Sequence, residues 1–460
     1  MKVLFIFPFL NNMYHEMGFI LPPLGLGYLA ASLEKENHEC SIIDLNVEED
    51  KNPQNIPYHD YDIIALSTDT TKYYKALDIA KEAKKHDKTV IFGGPHASFT
   101  AFDILNTKHC DYVIRGEGEK TLSELLSCFT KNGMHPCLSE LKKIPGISFI
   151  NNGMLVETEN REFIDDLDTI PYPARHLMKM DKYRTLELRK RKITSLITSR
   201  GCPFDCSFCS STRFTGLRWR TRTPKSILDE TEHIINKYDF NSIAFLDDNF
   251  TLKPSRTIEI SDLILERKLD LYWWCFSRCD TIVKNERMVA KMAESGCKYI
   301  FLGIESPDQI ALDNMNKGIS SKTAENAVSM LKKHGIDAMA SYIIGQPGDT
   351  KESIADTVNF AKKLKTGGVQ FSVMTPFPGT RLLENMQDKI TDTNWENYDC
   401  MHLVYRHDNF DAEAMQKQLK KAYFKNYFTF SRIIKGIFST LIGKGIKLSS
   451  IKRLFKVFKK

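Results

Sequence analysis

The 460-residue sequence has no run of about 18 apolar residues, the length a helix needs to cross a bilayer, so no membrane-spanning segment is expected. Its eleven cysteines lack the spacing of a disulfide framework. Reduced thiols point to the cytoplasm. The opening Met1-Lys2-Val3-Leu4-Phe5-Ile6-Phe7-Pro8 has too short an apolar part for a signal peptide and stops at a proline, so it reads as a buried first strand. With 42% hydrophobic and 27% charged residues, the composition excludes a fibrous or disordered chain. Acidic residues are missing from one place. Ala414 to Lys460 carries thirteen lysines and arginines and no Asp or Glu, which leaves the rest of the chain at about −7 within a total of +6. The basic balance is local, and no nucleic-acid partner is expected for the body of the chain.

The most telling residues present are Cys202, Cys206 and Cys209, which stand as C-P-F-D-C-S-F-C just after the apolar run Ile193-Thr194-Ser195-Leu196-Ile197-Thr198. Thiolates are the usual protein ligands of iron–sulfur clusters, and three of them on a four-iron cluster leave one iron open to another ligand. A structural zinc loop is the alternative. Zinc sites generally need four nitrogen or sulfur donors, and no second pair flanks this loop. Cys275 and Cys279 form a C-x3-C pair without further ligands and read as core or strand-end residues.

Around this loop the chain alternates short apolar strands with helical patterns, which favours parallel sheets that gather ligands at the strands' carboxyl ends. In residues 1–130 two such ends are Ser67-Thr68-Asp69-Thr70-Thr71 and Gly93-Gly94-Pro95-His96. Glycines let a flat ligand or a phosphate approach the backbone, and hydroxyls bond it without bulk. Ordinary turns use the same residues. Residues 131–190 are rich in turn formers and read as a connector, with a hairpin across Asn152-Gly153. From 191 to 385 the rhythm resumes, with strands ending at Thr198, Leu246, near Phe276, Gly303, Ile344 and Met374. Polar groups follow these ends: Asp247-Asp248, Arg278, Glu305 and Gly345. The aspartates can be helix caps, and Arg278 and Glu305 can be structural ion pairs. Residues 386–460 read as helical. Within them Tyr427, Phe430, Ile434, Ile437, Phe438 and Leu441 recur at spacings of three and four beside the lysines. Such a tail suits an anionic membrane surface, an acidic partner, or packing on the body.

The C-x3-C-x2-C spacing resembles the radical S-adenosylmethionine (SAM) superfamily. The Ser67 and Gly93 loops lie 26 positions apart and are flanked by Pro22-Pro23-Leu24-Gly25-Leu26-Gly27 and Arg115-Gly116-Glu117-Gly118-Glu119. They look like the cobalamin-binding domain fused in front of many radical SAM enzymes. The resemblance implies an α/β fold: a Rossmann-like cobalamin-binding domain over 1–130, then the connector, a partial (β/α)6 barrel over 191–385, and a helical C-terminal region. It implies a 4Fe-4S cluster on Cys202, Cys206 and Cys209, with SAM against Phe208, Asp247, Asp248, Arg278, Glu305 and Gly345. It implies cobalamin against Ser67, Thr68, Thr70, Thr71, Gly93, Gly94 and His96.

One motif departs from the pattern. Cobalamin domains that ligate cobalt by histidine carry Asp-x-His-x-x-Gly, whereas this chain has Met13-Tyr14-His15-Glu16-Met17-Gly18. Without the aspartate that would orient the imidazole, His15 is not expected to bind cobalt. The chain therefore looks like a class B, cobalamin-dependent radical SAM methyltransferase. As that resemblance implies, a flavodoxin or ferredoxin reduces the cluster, SAM is cleaved, and the 5′-deoxyadenosyl radical takes hydrogen from an unreactive carbon that methylcobalamin then methylates. Two rivals remain: ring closure or rearrangement without methylation, as in the anaerobic magnesium-protoporphyrin ester cyclase family, and a cofactor sensor without turnover.

Overall fold

A computed structural model describes residues 1–10, 15, 20–183 and 191–427. They form two compact units, one from residues 1–10, 20–183 and 210–220, the other from 191–209 and 221–427.

The first unit is built on seven strands: β1 (Lys2–Phe7), β2 (Glu39–Asp44), β3 (Ile63–Ser67), β4 (Thr89–Gly93), β5 (Tyr112–Ile114), β6 (Ile147–Asn151) and β7 (Met154–Glu157). Val3, Leu4, Phe5 and Ile6 are all buried. Since successive side chains on a strand point to opposite faces, both faces of β1 are covered, which is why its sequence is apolar without alternation. The strand order is β2-β1-β3-β4-β5-β6-β7. Strands β1 to β5 are parallel. The order turns back at β1, so a topological switch point lies between β1 and β3, where open α/β sheets hold ligands. Strands β3 and β4 run side by side with Ser67 opposite Gly93, so the two candidate loops leave the sheet together.

The hairpin in the segment that reads as a connector joins this same sheet, β6 pairing antiparallel with β5 and β7 with β6. Its turn residues Asn152 and Gly153 both have positive φ, 49° and 78°, the pair of conformations a two-residue type I′ turn requires. On one face, Leu26 and Leu33 of the helix Leu24–Glu34 and Leu122 and Leu125 of the helix Gly118–Asn132 form a core with Phe5 and Ile63. Residues 210–220 are fixed to this unit by a buried ion pair, Arg220 Nη1 to Glu117 Oε1 at 2.8 Å, and by Arg220 donating to the Ile164 carbonyl at 2.7 Å.

The main sheet of the second unit has six strands: β8 (Ile193–Leu196), β9 (Ser242–Phe245), β10 (Tyr272–Ser277), β11 (Cys297–Glu305), β12 (Asp337–Ile344) and β13 (Gly368–Val373). They are parallel and lie in the order β13-β12-β11-β10-β9-β8. No reversal interrupts the order, so crossovers of one hand lay the helices on one side, as in the wall of a barrel. Several helices are capped by hydroxyls. Thr223 and Ser320 accept from backbone N–H groups, and Thr350 with Ser353 makes a reciprocal capping box.

The outer edge of β13 is closed by the helix Ala412–Tyr427. The Tyr423 hydroxyl donates to the Phe371 carbonyl (2.9 Å) and accepts from the Phe371 N–H (3.1 Å). Tyr427 does the same at Val369, at 2.7 and 3.1 Å. An open strand edge is a template for unwanted pairing, and here two of its rungs are satisfied. The basic stretch 428–460 lies outside the described residues, as do the neighbours of His15. Among the described residues no helix is long and apolar enough to cross a membrane.

Candidate active site

The mouth of the first sheet is made of small neutral groups. Thr68 and His96 are buried and stitch its two loops together. The Thr68 N–H donates to the Gly93 carbonyl at 2.9 Å, and the His96 N–H donates to the Thr68 carbonyl at 3.2 Å. Gly94 sits at φ 94°, and a Cβ there would lie 2.8 Å from the Thr68 carbonyl oxygen and 3.1 Å from Ser67 Oγ. Only glycine lets the loops meet. The His96 ring packs 4.9 Å from the Tyr73 ring, and burial pushes its pKa down to about 4, so the imidazole is neutral. Thr70 is also buried, while Ser67, Thr71, Gly93 and Gly94 are partly exposed. The Thr71 hydroxyl donates to Asp69, whose other oxygen pairs with Lys72 at 2.7 Å, so the nearest charges cancel. A mouth of glycine and hydroxyl with paired charge suits a large, flat, nearly neutral ligand such as a corrin.

The mouth of the second sheet is charged. Its cysteine loop is braced at its entry and along its middle. At the entry, Asp247, which follows β9, accepts from the Thr198 N–H (2.6 Å), the Thr198 hydroxyl and the Ser199 hydroxyl (2.6 Å). Arg256 donates to the Thr198 carbonyl at 2.9 Å. Within the loop, Ser207 N–H donates to the Met315 carbonyl at 3.0 Å, Asn316 Nδ2 to the Asp205 carbonyl at 2.8 Å, and Leu382 N–H to the Ser207 carbonyl at 3.0 Å. Arg381 pairs with Asp205 at 3.2 Å. Cys202 is buried, Cys206 and Cys209 are partly exposed, and none of the three is in a disulfide.

Burial pushes the Cys202 thiol up to about 11 against a lowering hydrogen bond from the Phe204 backbone, and Asp248, Cys209 and Cys206 add to the push, so ionisation of Cys202 calls for a cation. Among the described residues no three His, Cys, Asp or Glu side chains converge as ligands of one metal ion. The three thiols, spread along a braced loop, are of the donor type that holds the corners of an iron–sulfur cluster.

The remaining candidates surround this loop. Phe208 is half-buried and Asp248 exposed. Arg278 lies 3.7 Å from the Phe204 ring centroid, pairs with Asp280 at 3.0 Å and donates to the Lys317 carbonyl at 2.8 Å. Glu305 pairs with Lys317 at 2.7 Å, with both side chains below a tenth exposed. Burial would pull the Lys317 ammonium down, but Glu305 and Cys206 outweigh it and hold its pKa above the usual value. Gly345 is placed differently. At φ 71°, the space its Cβ would fill is occupied by Met415 of the last helix, and its carbonyl accepts from the Tyr405 hydroxyl.

Sequence reasoning missed Lys317. The available signal was the turn Asn316-Lys317-Gly318, whose flanking residues both have positive φ and so turn the lysine out of its helix's course.

The radical SAM superfamily matches residues 196–361, and the B12 binding domain matches residues 13–126. An uncharacterized methyltransferase of Pyrococcus horikoshii is 37% identical over 448 residues, covering 95% of each chain. The anaerobic magnesium-protoporphyrin IX monomethyl ester cyclase of Rubrivivax gelatinosus is 27% identical over 432 residues, 92% of this chain and 77% of its own. The radical SAM methyltransferase TsrM of Kitasatospora setae, solved with cobalamin and a [4Fe-4S] cluster, shares the fold at a TM-score of 0.69 and 20% identity, over 84% of this chain and 74% of its own. Fold and site thus define a protein that carries a B12-binding domain ahead of a radical SAM domain. The chain belongs to the cobalamin-dependent radical SAM enzymes.

Proposed function

We propose that this enzyme moves a methyl group from cobalamin to an unactivated carbon of its substrate. The observation that carries the reading is the union in one chain of a neutral, glycine-opened mouth with a charged mouth built on a braced three-cysteine loop. When bound, the cluster and SAM supply a radical able to take hydrogen from carbon, and cobalamin supplies the methyl group.

The chain's residues bind and orient. Cys202, Cys206 and Cys209 would anchor three irons, while Asp247 and Arg256 hold the loop's entry in place. Phe208, Asp248, Arg278 and Glu305 would receive SAM around that loop. Ser67, Thr71, Gly93 and Gly94 would face cobalamin, with Thr68, Thr70 and His96 supporting them from beneath. Without the aspartate before it, His15 would lack the partner that orients an imidazole towards a metal. A flavodoxin or ferredoxin would supply the electron. The basic tail would hold the enzyme at an anionic membrane surface, tested by salt-sensitive sedimentation with anionic vesicles.

Anaerobic reconstitution with iron, sulfide and cobalamin, followed by incubation of a cell extract with methyl-labelled SAM, tests the main reading. S-adenosylhomocysteine should form together with 5′-deoxyadenosine, and label should enter a product. The second reading, ring closure or rearrangement, draws on the 27% identity to the Rubrivivax cyclase; it yields 5′-deoxyadenosine alone. A sensor yields neither.

A further inference from the structure

The turn after the helix Gln309–Asn314 packs directly on the cysteine loop. The Met315 carbonyl accepts from the Ser207 N–H, and the Asn316 amide donates to the Asp205 carbonyl, so Lys317 is delivered beside residues 205–208 by its own backbone. Its ammonium stands 5.9 Å from the ring centroid of Phe208, which lies between Cys206 and Cys209 in the loop. The partner carboxylate is held at a cost. Glu305 has φ 66°, a left-handed conformation that strains any residue with a Cβ, and the register of β11 with β12 slips between Gly303 and Glu305. Strain kept in this way clusters at functional positions. Gly303 leaves the room the pair needs: a Cβ there would lie 2.5 Å from Glu305 Oε1 and 2.6 Å from Lys317 Nζ. The other cation nearby, Arg278, is already matched by Asp280.

A cluster on three thiolates gains negative charge when it takes an electron, and its potential follows the charges and hydrogen bonds around it. We propose that Lys317 and Glu305 form a charge pair that sets the cluster's reduction potential, the ammonium favouring the reduced state and the carboxylate tempering it. The step they tune adds one electron to the cluster from an external low-potential donor. Neither residue takes or gives that electron. The proposal rests on the cysteine loop holding a cluster.

The full-length chain, reconstituted anaerobically with iron and sulfide and without SAM, is titrated with redox dyes while the reduced cluster is followed by electron paramagnetic resonance. Wild-type iron content tests the cluster itself, and a wild-type chain without iron would refute that reading. Lys317→Met should keep its iron and shift the reduction equilibrium about tenfold against the reduced state, about 59 mV downward for one electron. Glu305→Gln should keep its iron and shift upward, and Lys317→Arg should return to the wild-type value. Shifts of the same sign, unchanged potentials, or loss of iron from both variants would overturn the proposal; the last would show that the pair only braces the loop.

Discussion

The two sheets end in mouths of opposite electrical character, and the difference lies in what each must stabilise. The first sheet presents hydroxyls, glycine backbone and a neutral buried imidazole, with its nearby ions paired as Lys72 and Asp69. The second presents buried ions, Lys317 with Glu305 and Arg278 with Asp280, around three thiols. Shape suffices to hold a large ligand of little net charge. A cluster and the zwitterionic end of SAM need charges fixed in advance, because protein dipoles must stand in for the water that the site excludes. The topologies differ accordingly: a sheet that turns back at β1 opens one crevice beside the turn, whereas a sequential wall brings all six strand ends toward one face.

The comparison breaks most visibly if the mouths can be disabled separately. Replacing Cys202, Cys206 and Cys209 by alanine should abolish iron binding and 5′-deoxyadenosine formation, with cobalamin still retained in the absorbance spectrum. Joint loss of both cofactors would mean that the mouths are not independent.

Next in size is a pH effect confined to the first unit. An unfolded His96 has the ordinary pKa of 6.5, while the buried one lies at about 4. Above 6.5 neither state carries the proton and stability is complete. As the pH falls from 6.5 towards 4 the unfolded chain is protonated first, and the unit loses on the order of 3 kcal/mol. Below 4 both states are protonated and the loss levels off. Denaturation of wild type and His96→Phe across this range should show a shallower slope in the variant.

Gly94→Ala should cost about 2 kcal/mol through its φ and the contact with Thr68, lowering cobalamin retention more than tenfold at unchanged iron content. Retention at the wild-type level would remove the glycine cradle from the comparison. The smallest expected change is at the second unit's edge, where Tyr427→Phe should lower unfolding stability by about 1 kcal/mol, the low end for the two hydrogen bonds lost, without affecting either cofactor.

The strand ends were legible because apolar runs stop where polar groups begin: those read at Leu246, Phe276 and Ile344 lie within one residue of the ends at Phe245, Ser277 and Ile344. The cysteine loop was legible because its donors are close in sequence. What escaped depends on distance along the chain. Nothing local to Ile147–Asn151 says that it will pair with β5, and nothing local to Lys317 says that Glu305 will meet it, since that meeting requires a positive φ at a residue that rarely adopts one. Asp247 was legible as a polar strand end, but not its three donors from residues 198 and 199. Tyr427 read as one position of a greasy stripe, whereas its hydroxyl is bonded to the backbone of Val369.

That last contact has a consequence for the size of the wall. Four residues of helix advance about 6 Å, and two residues of strand about 6.6 Å. Tyr423 and Tyr427 are therefore spaced almost as Val369 and Phe371 are, and each phenol offers the donor and the acceptor that one residue of a neighbouring strand would offer. For two rungs the helix counterfeits a seventh strand. The wall ends at β13 because the place of the next strand is already taken, by an element of a different pitch that keeps step just long enough.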